Sequence, residues 1–450
     1  MYSTSNSKEV KNMKHYPVFS KQSENPNLVD YTPAIIECTQ TALMSIIAGY
    51  RRTDFGYDSM YWAVKDIELF CKKYVLPNNA SFAIDSGGYS GIIGDVSWHD
   101  YGKMIDTYLA CLPALNHFSH MIFSLDLPIN LKWTFYNTPQ NVYKFNHQSL
   151  SKSKELLLET PTLRDKFFFI YQFRTAKRYE IWNQLYQDLN LKDVIKNWSL
   201  GGMVGLKSLS KIDFSPTIGI AYRSLFDYLT SSNPKDTFSL HFLGIYHKPE
   251  RFLITFMEKL FAKYLEGFST PNFTYDSINY IRQSQKLKTL KVFIFENDTI
   301  ISKDSLEIDE NIINEIYFSP QLLKGITQEI ENRKAGDPLQ NINAFAPFSV
   351  YSNLQLDKFF EHIIDSSEMI DIFCNCTILQ QVEMEFEVIL KNLGKQYPGI
   401  FTRQTINSIK KGFQICFEFH KWFKNKKDLA SLNNLIFAFI NLIGLEEDLK

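Results

Sequence analysis

The sequence has little that would tie it to a secreted, membrane-bound or charge-driven protein. Cysteine is scarce: Cys38, Cys71, Cys111, Cys374, Cys376 and Cys416 are the only six in 450 residues, too few and too scattered for a disulfide framework. An excess of charge of either sign is also missing. Lys and Arg number 48 against 49 Asp and Glu, a formal net charge of −1, which excludes a strongly basic protein coating nucleic acid without specificity. No apolar run is long enough to cross a bilayer, since the best candidate, Leu435–Leu445, is short and carries Asn441. Met1–Lys14 is polar and lacks the apolar stretch of a secretory signal. Solenoid repeats and long low-complexity tracts are absent. The expectation is a cytoplasmic globular protein with no membrane partner.

What is present is ordinary globular material, 45% hydrophobic and 22% charged, enriched in aromatics at 15%. Residues 1–30 read as a polar lead-in. From 31 to 300 one theme recurs: a short apolar run rich in β-branched and aromatic residues, a polar or glycine-rich end, then an amphipathic stretch. The runs are Ser81–Ile84, Met121–Leu125, Phe167–Phe173, Trp198–Val204, Phe238–Ile245 and Phe273–Tyr275, with an earlier candidate at Ala34–Thr39 and one more strand at Val292–Phe295. Each unit has room for a strand, a loop and a helix, which predicts an α/β fold with parallel strands. Polar residues end many different runs, as in a (β/α)8 (TIM) barrel; a doubly wound sheet would gather its site at one switch point. Residues 301–450 read as a mainly helical region.

The chemistry-bearing residues sit at the run ends. In Phe82-Ala-Ile-Asp85-Ser-Gly-Gly88-Tyr89 a strand delivers a carboxylate, and two glycines let the backbone turn close to a ligand. Asp126 and Asp276 end two further runs. Strand-end aspartates often cap the next loop, but three at one barrel mouth would repel and are usually retained for work. Two carboxylates facing a sugar suit attack at an anomeric carbon, one as nucleophile and the other handling protons. Gln172 and the backbone of Gly201, Gly202 and Met203 offer amide groups to a heterocycle.

Taken in order, D-S-G-G-Y at Asp85–Tyr89, Asp126, Gln172, G-G-M-V-G at Gly201–Gly205, H-F-L-G at His241–Gly244 and Asp276 resemble the guanine transglycosylase family. These are barrel enzymes that exchange a guanine in nucleic acid for a 7-deazaguanine. The resemblance implies Asp276 as nucleophile at C1′ and Asp85 as the carboxylate that takes the incoming base's proton. It implies that Asp126 reads the purine donor edge, that Gln172 with the amides near Gly202 and Met203 binds the carbonyl, and that Tyr89 stacks on the base with Leu243 near its other face. It also implies no ATP and no redox cofactor.

The sequence departs from the usual family pattern. The glycine motif reads G-G-M-V-G-L, and the nucleophile lies in Y-D-S. Cys374 and Cys376 keep the C-x-C of the family's zinc motif, but position 379 is Leu. Cys416 and His420, one helical turn apart, would complete a Cys3His set for structural zinc; a degenerate site without metal is the other reading. These departures resemble the branch that inserts 7-cyano-7-deazaguanine or a relative into DNA. A tRNA-acting enzyme and a non-catalytic nucleic-acid-binding barrel subunit are the alternatives. Arg282, Lys286, Lys288 and Lys291 follow the nucleophile and could meet phosphates. A second basic face lies on Arg403–Lys427, where Lys410 and Lys411 belong to a set of seven Lys/Arg against the single Glu418. The interleaved Phe413, Phe417, Phe419, Trp422 and Phe423 are expected to pack that helix rather than stack bases.

Overall fold

A computed structural model describes residues 14–19, 29–46, 57–86, 101–127, 139–172, 176–201, 215–231, 237–277, 290–341, 343–425 and 428–442. Eight strands pair in parallel, each with the next: β1 (Lys14–Phe19), β2 (Thr41–Ser45), β3 (Ser81–Asp85), β4 (Met121–Phe123), β5 (Phe167–Gln172), β6 (Asn197–Gly201), β7 (Thr237–Phe242) and β8 (Thr270–Ser277). β8 closes on β1 with Tyr16 beside Asp276. The helices between them are α1 (Thr32–Thr39), α2 (Tyr57–Phe70), α3 (Tyr101–Leu115), α4 (Pro139–Glu159), α5 (Pro161–Arg164), α6 (Ala176–Asp188), α7 (Ser215–Leu229) and α8 (Lys248–Tyr264). This is the expected (β/α)8 barrel.

The strands form because nearly every residue in them has somewhere apolar to go. All six residues of β5, Phe167–Gln172, are buried, the pattern of a strand covered on both faces. Tyr16, Leu43, Ala83, Met121, Phe123, Phe168 and Ile170 fill the lumen. Alternate residues such as Phe82, Ile122, Phe169, Trp198 and Phe273 pack outward in the core shared with the helices. Each large apolar side chain so buried contributes about 1.5–3 kcal/mol.

Two expectations from sequence need correction. Ala34–Thr39 is not a strand but the body of α1, with a proline in its first turn and Gln40 in the left-handed region (φ 54°) at its end. The neighbouring Thr41–Ser45 is the strand instead. The polar lead-in assigned to residues 1–30 contains β1, a full member of the barrel. Pro17 within Lys14–Phe19 weakens the strand signal there.

Val292–Phe295 is a strand, but outside the barrel. β9 (Lys291–Glu296) and β10 (Thr299–Asp304) form an antiparallel hairpin whose two-residue turn, Asn297-Asp298, has φ of 50° and 60°. Asn and Asp tolerate that left-handed turn, the type that matches strand twist. The boundary expected near residue 300 therefore falls inside this hairpin. Among the described residues seven helices follow: α9 (Glu310–Ile316), α10 (Pro320–Ala335), α11 (Ala346–Ser366), α12 (Met369–Asn375), α13 (Leu379–Gln396), α14 (Arg403–Asn425) and α15 (Leu429–Leu442). Leu290, just before the hairpin, and Val292 and Ile294 within it share a second core with Tyr31, Ile312, Ile326 and Phe348.

The helical layer is joined to the barrel by apolar contact and by buried charge. A Cβ on Gly412 of α14 would come within 2.3 Å of Leu253 on α8, so these two helices meet at glycine distance. Arg251 of α8 donates to Asp357 Oδ1 of α11 (2.9 and 2.6 Å) and to Asn353 Oδ1 (2.9 Å), and the Tyr275 hydroxyl of β8 donates to Asp357 Oδ2 (2.6 Å). No helix among the described residues is long and apolar enough to cross a membrane.

Candidate active site

In a parallel barrel the C-terminal ends of all strands open on one rim. Asp85 is the last residue of β3, Asp126 follows β4, Gln172 ends β5, Gly201 ends β6, and Asp276 is the penultimate residue of β8. Asp85, Asp126, Gln172, Gly201 and Asp276 thus share a single rim.

Asp126 is set by its own loop. Ser124 Oγ accepts from Ile170 N (3.0 Å), Ser149 Oγ of α4 donates to Leu125 O (2.7 Å), and the Asn146 amide of α4 clasps both the N–H and the C=O of Leu127 (2.9 and 3.0 Å). The carboxyl between these clamps is buried, and Gln172 Nε2 donates to its Oδ2 at 2.8 Å. Burial pushes the Asp126 carboxyl up to about 7; the Gln172 amide pulls the other way, and the nearby Asp85 charge adds to the rise. Gly201 is what leaves room for the amide, since a Cβ there would lie 2.8 Å from Gln172 Nε2.

Across the rim, Asp276 is held from β7. Gly244 adopts φ 75°, a conformation that suits glycine, and in that turn its N–H donates to Asp276 Oδ1 at 2.7 Å. His241 Nε2 lies 3.4 Å from the same oxygen, and its Nδ1 is 2.8 Å from Thr274 Oγ1. The His241 ring is fully buried, whereas the Asp276 side chain keeps 15% of its surface exposed. The strand alternation sorts the neighbours: Thr274 and Asp276 face His241, while Tyr275 turns outward to the seam with α11. Leu243, read as a base-facing residue, is half-buried and packs against the lumen cluster.

Gly202, Met203, Tyr89, Arg282, Lys286 and Lys288 lie outside the described residues. On α14, Phe413, Phe417, Phe419 and Trp422 are buried and Phe423 stacks on Tyr264, which is packing as expected. Lys410 pairs with Glu387 of α13 (3.1 Å), and Lys424 donates to Cys374 O (3.0 Å), so part of that basic face is engaged within the fold; Lys411 is exposed.

The four zinc candidates are not drawn into one set. No three His, Cys, Asp or Glu side chains among the described residues are grouped to hold a metal ion. His420 directs Nδ1 to the Tyr264 hydroxyl, and its Nε2 is buried without a partner among the described residues. Cys416 is buried on the same helix. Burial and then the nearby Cys374 and Cys416 raise the Tyr264 hydroxyl, which His420 also meets, so these three neighbour one tyrosine, whereas Cys376 lies near Glu385. Structural zinc needs four such donors converging on one point, a grouping not present among the described residues.

Sequence reasoning missed His241 and Asn146 as positioning groups. The H-F-L-G landmark contained the histidine, but its aim at Asp276 depends on the β7–β8 register that sets His241 beside Thr274. Asn146 lies mid-helix on α4 and carries no local signal. Compared with known protein families and with curated proteins, the chain matches none. The class that fold and site define is a (β/α)8 barrel with clustered carboxylates and one amide at its C-terminal rim.

Proposed function

We propose that this chain is a DNA-guanine transglycosylase that exchanges guanine for a 7-deazaguanine such as 7-cyano-7-deazaguanine. The observation that carries the reading is the pairing of Asp126 with Gln172 at 2.8 Å on the same rim as Asp276. A carboxylate beside an amide matches the donor edge and carbonyl of a guanine-type base, and a separately anchored carboxylate is what attack at C1′ needs.

The base of a duplex must leave the stack to reach such a rim. Asp276 forms a bond to C1′ as the C1′–N9 bond breaks, and the electron pair leaves with guanine, which takes a proton from the Asp85 carboxyl and so leaves Asp85 ionised. The incoming deazaguanine gives its ring N–H proton to Asp85, and the nitrogen freed by that step attacks C1′. The carboxylate of Asp276 departs with its electron pair, and two inversions give net retention. No step consumes ATP or moves electrons to a redox cofactor.

The test is a labelled-guanine exchange assay offering DNA and tRNA side by side. Incorporation into DNA, reduced at least about 10⁴-fold in a folded Asp276→Ala variant, is expected. Incorporation into tRNA alone would transfer the mechanism to the other substrate. A folded Asp276→Ala protein with undiminished exchange would remove Asp276 from the chemistry, and no exchange into either nucleic acid would leave a barrel that only binds.

A further inference from the structure

We infer that His241 is a positioning residue that fixes which oxygen of Asp276 attacks: it holds Oδ1 together with the Gly244 amide and leaves Oδ2 to bond C1′. This rests on Asp276 being the nucleophile. The imidazole has no freedom to do otherwise. It is fully buried, its ring centroid is 4.7 Å from that of Phe123, and Tyr16 meets it edge-on at 6.1 Å.

The tautomer follows from its two neighbours. A neutral imidazole has one N–H and one lone pair. With the proton on Nδ1, the Nε2 lone pair would face the Asp276 carboxylate oxygen across 3.4 Å, a repulsive contact. With the proton on Nε2, that N–H points at Oδ1, and the Thr274 hydroxyl, which also lies 3.9 Å from the weakly accepting Met121 sulfur, turns to donate to Nδ1 at 2.8 Å. Every group is then satisfied. The contact of 3.4 Å is long, as hydrogen bonds in substrate-free sites often are, and it shortens as charge shifts in the complex.

Oδ1 thus has two donors, while no hydrogen bond among the described residues reaches Oδ2. In the covalent ester Oδ1 becomes the carbonyl oxygen. When the second base attacks C1′, the C1′–Oδ2 pair returns to the carboxylate, and both N–H groups stabilise the charge that reappears. Two preorganised donors aimed at developing charge are the arrangement expected to speed that departure.

The experiment has two arms on the full chain. In the first, ¹⁵N-histidine spectra at neutral pH should place His241 in the Nε2–H form, with its Nε2 resonance moving in Asp276→Asn. An Nδ1–H form, or no response to Asp276→Asn, overturns the inference. In the second, His241→Leu should lower kcat for exchange about 10- to 100-fold with KM nearly unchanged. His241→Gln, which carries an amide N–H at a similar reach, should recover much of that loss. Equal losses in both variants, or wild-type turnover in His241→Leu, would overturn it. If the wild-type chain exchanged no base at all, the proposed function would fall, while the nitrogen spectra would still decide whether His241 holds Asp276.

Discussion

Adjacent residues of β8 serve two regions that treat buried charge in opposite ways. Tyr275 looks outward to the seam, where Arg251 is matched by Asp357 and Asn353 and the tyrosine hydroxyl takes the remaining carboxylate oxygen. A second seam cluster repeats the pattern, with Arg223 donating to Asp227 (3.1 and 2.9 Å), Asn183 (2.7 Å) and Asn433 of α15 (2.8 Å). Asp276 looks inward to the rim, where burial first and the Asp85 charge second raise the proton affinity of Asp126. Balanced charges hold the helical layer to the barrel. A buried carboxyl beside a like charge carries an electrostatic cost that a ligand with donors on its edge would relieve.

Breaking the seam should give the largest effect. Asp357→Ala leaves Arg251 buried and uncompensated, and removal of one partner of a buried pair costs about 3–5 kcal/mol. Urea unfolding followed by circular dichroism should show that loss. The double variant Arg251→Met/Asp357→Leu, apolar on both sides, should recover most of it. Equal stability of the single and double variants would mean that the seam charges are not coupled.

A smaller effect is expected where the rim depends on backbone geometry. Gly244→Ala places a Cβ at φ 75°, a cost of about 1–2 kcal/mol. A backbone that relaxes from that angle turns the N–H away from Asp276 Oδ1. Exchange should fall by about tenfold or more, as for loss of part of a preorganised donor set, with little change in KM. Turnover unchanged in a folded Gly244→Ala protein would show that this amide does not matter to the nucleophile.

The two regions were not equally legible in sequence. Rim residues end apolar runs, so periodicity found Asp85, Asp126, Gln172 and Asp276 and the barrel that carries them. β1 was missed because Pro17 interrupts a short run, and α1 was misread because its apolar segment Pro33–Cys38 is too short to separate helix from strand by period alone. The seam left no trace: Arg251, Tyr275 and Asp357 are far apart in the chain, and only the packing of α11 on α8 and β8 unites them. The zinc expectation has the same limit, since the i, i+4 spacing of Cys416 and His420 fixes one helix face but says nothing of where Cys374 and Cys376 lie.

The finest difference between the regions is in their response to pH. Asp126 holds its proton more tightly in the folded protein than its ordinary value near 3.8 allows, up to about 7. The native state therefore binds more protons than the unfolded chain between those values, and folded stability falls as pH rises across them, by up to about 1.4 kcal/mol per unit. Asp126→Asn should flatten that part of the urea-stability profile between pH 5 and 8. Base binding should run the other way, because only the ionised carboxylate accepts from both N–H groups of a guanine edge: affinity for free guanine, measured by calorimetry, should rise through about pH 7. Asp85→Asn removes the like charge but not the burial, the larger cause. The midpoint should then shift only modestly toward the ordinary carboxylate range. A midpoint that stays fixed would mean that burial alone sets the proton affinity of Asp126, and the contrast with the seam would rest on desolvation rather than on like-charge repulsion.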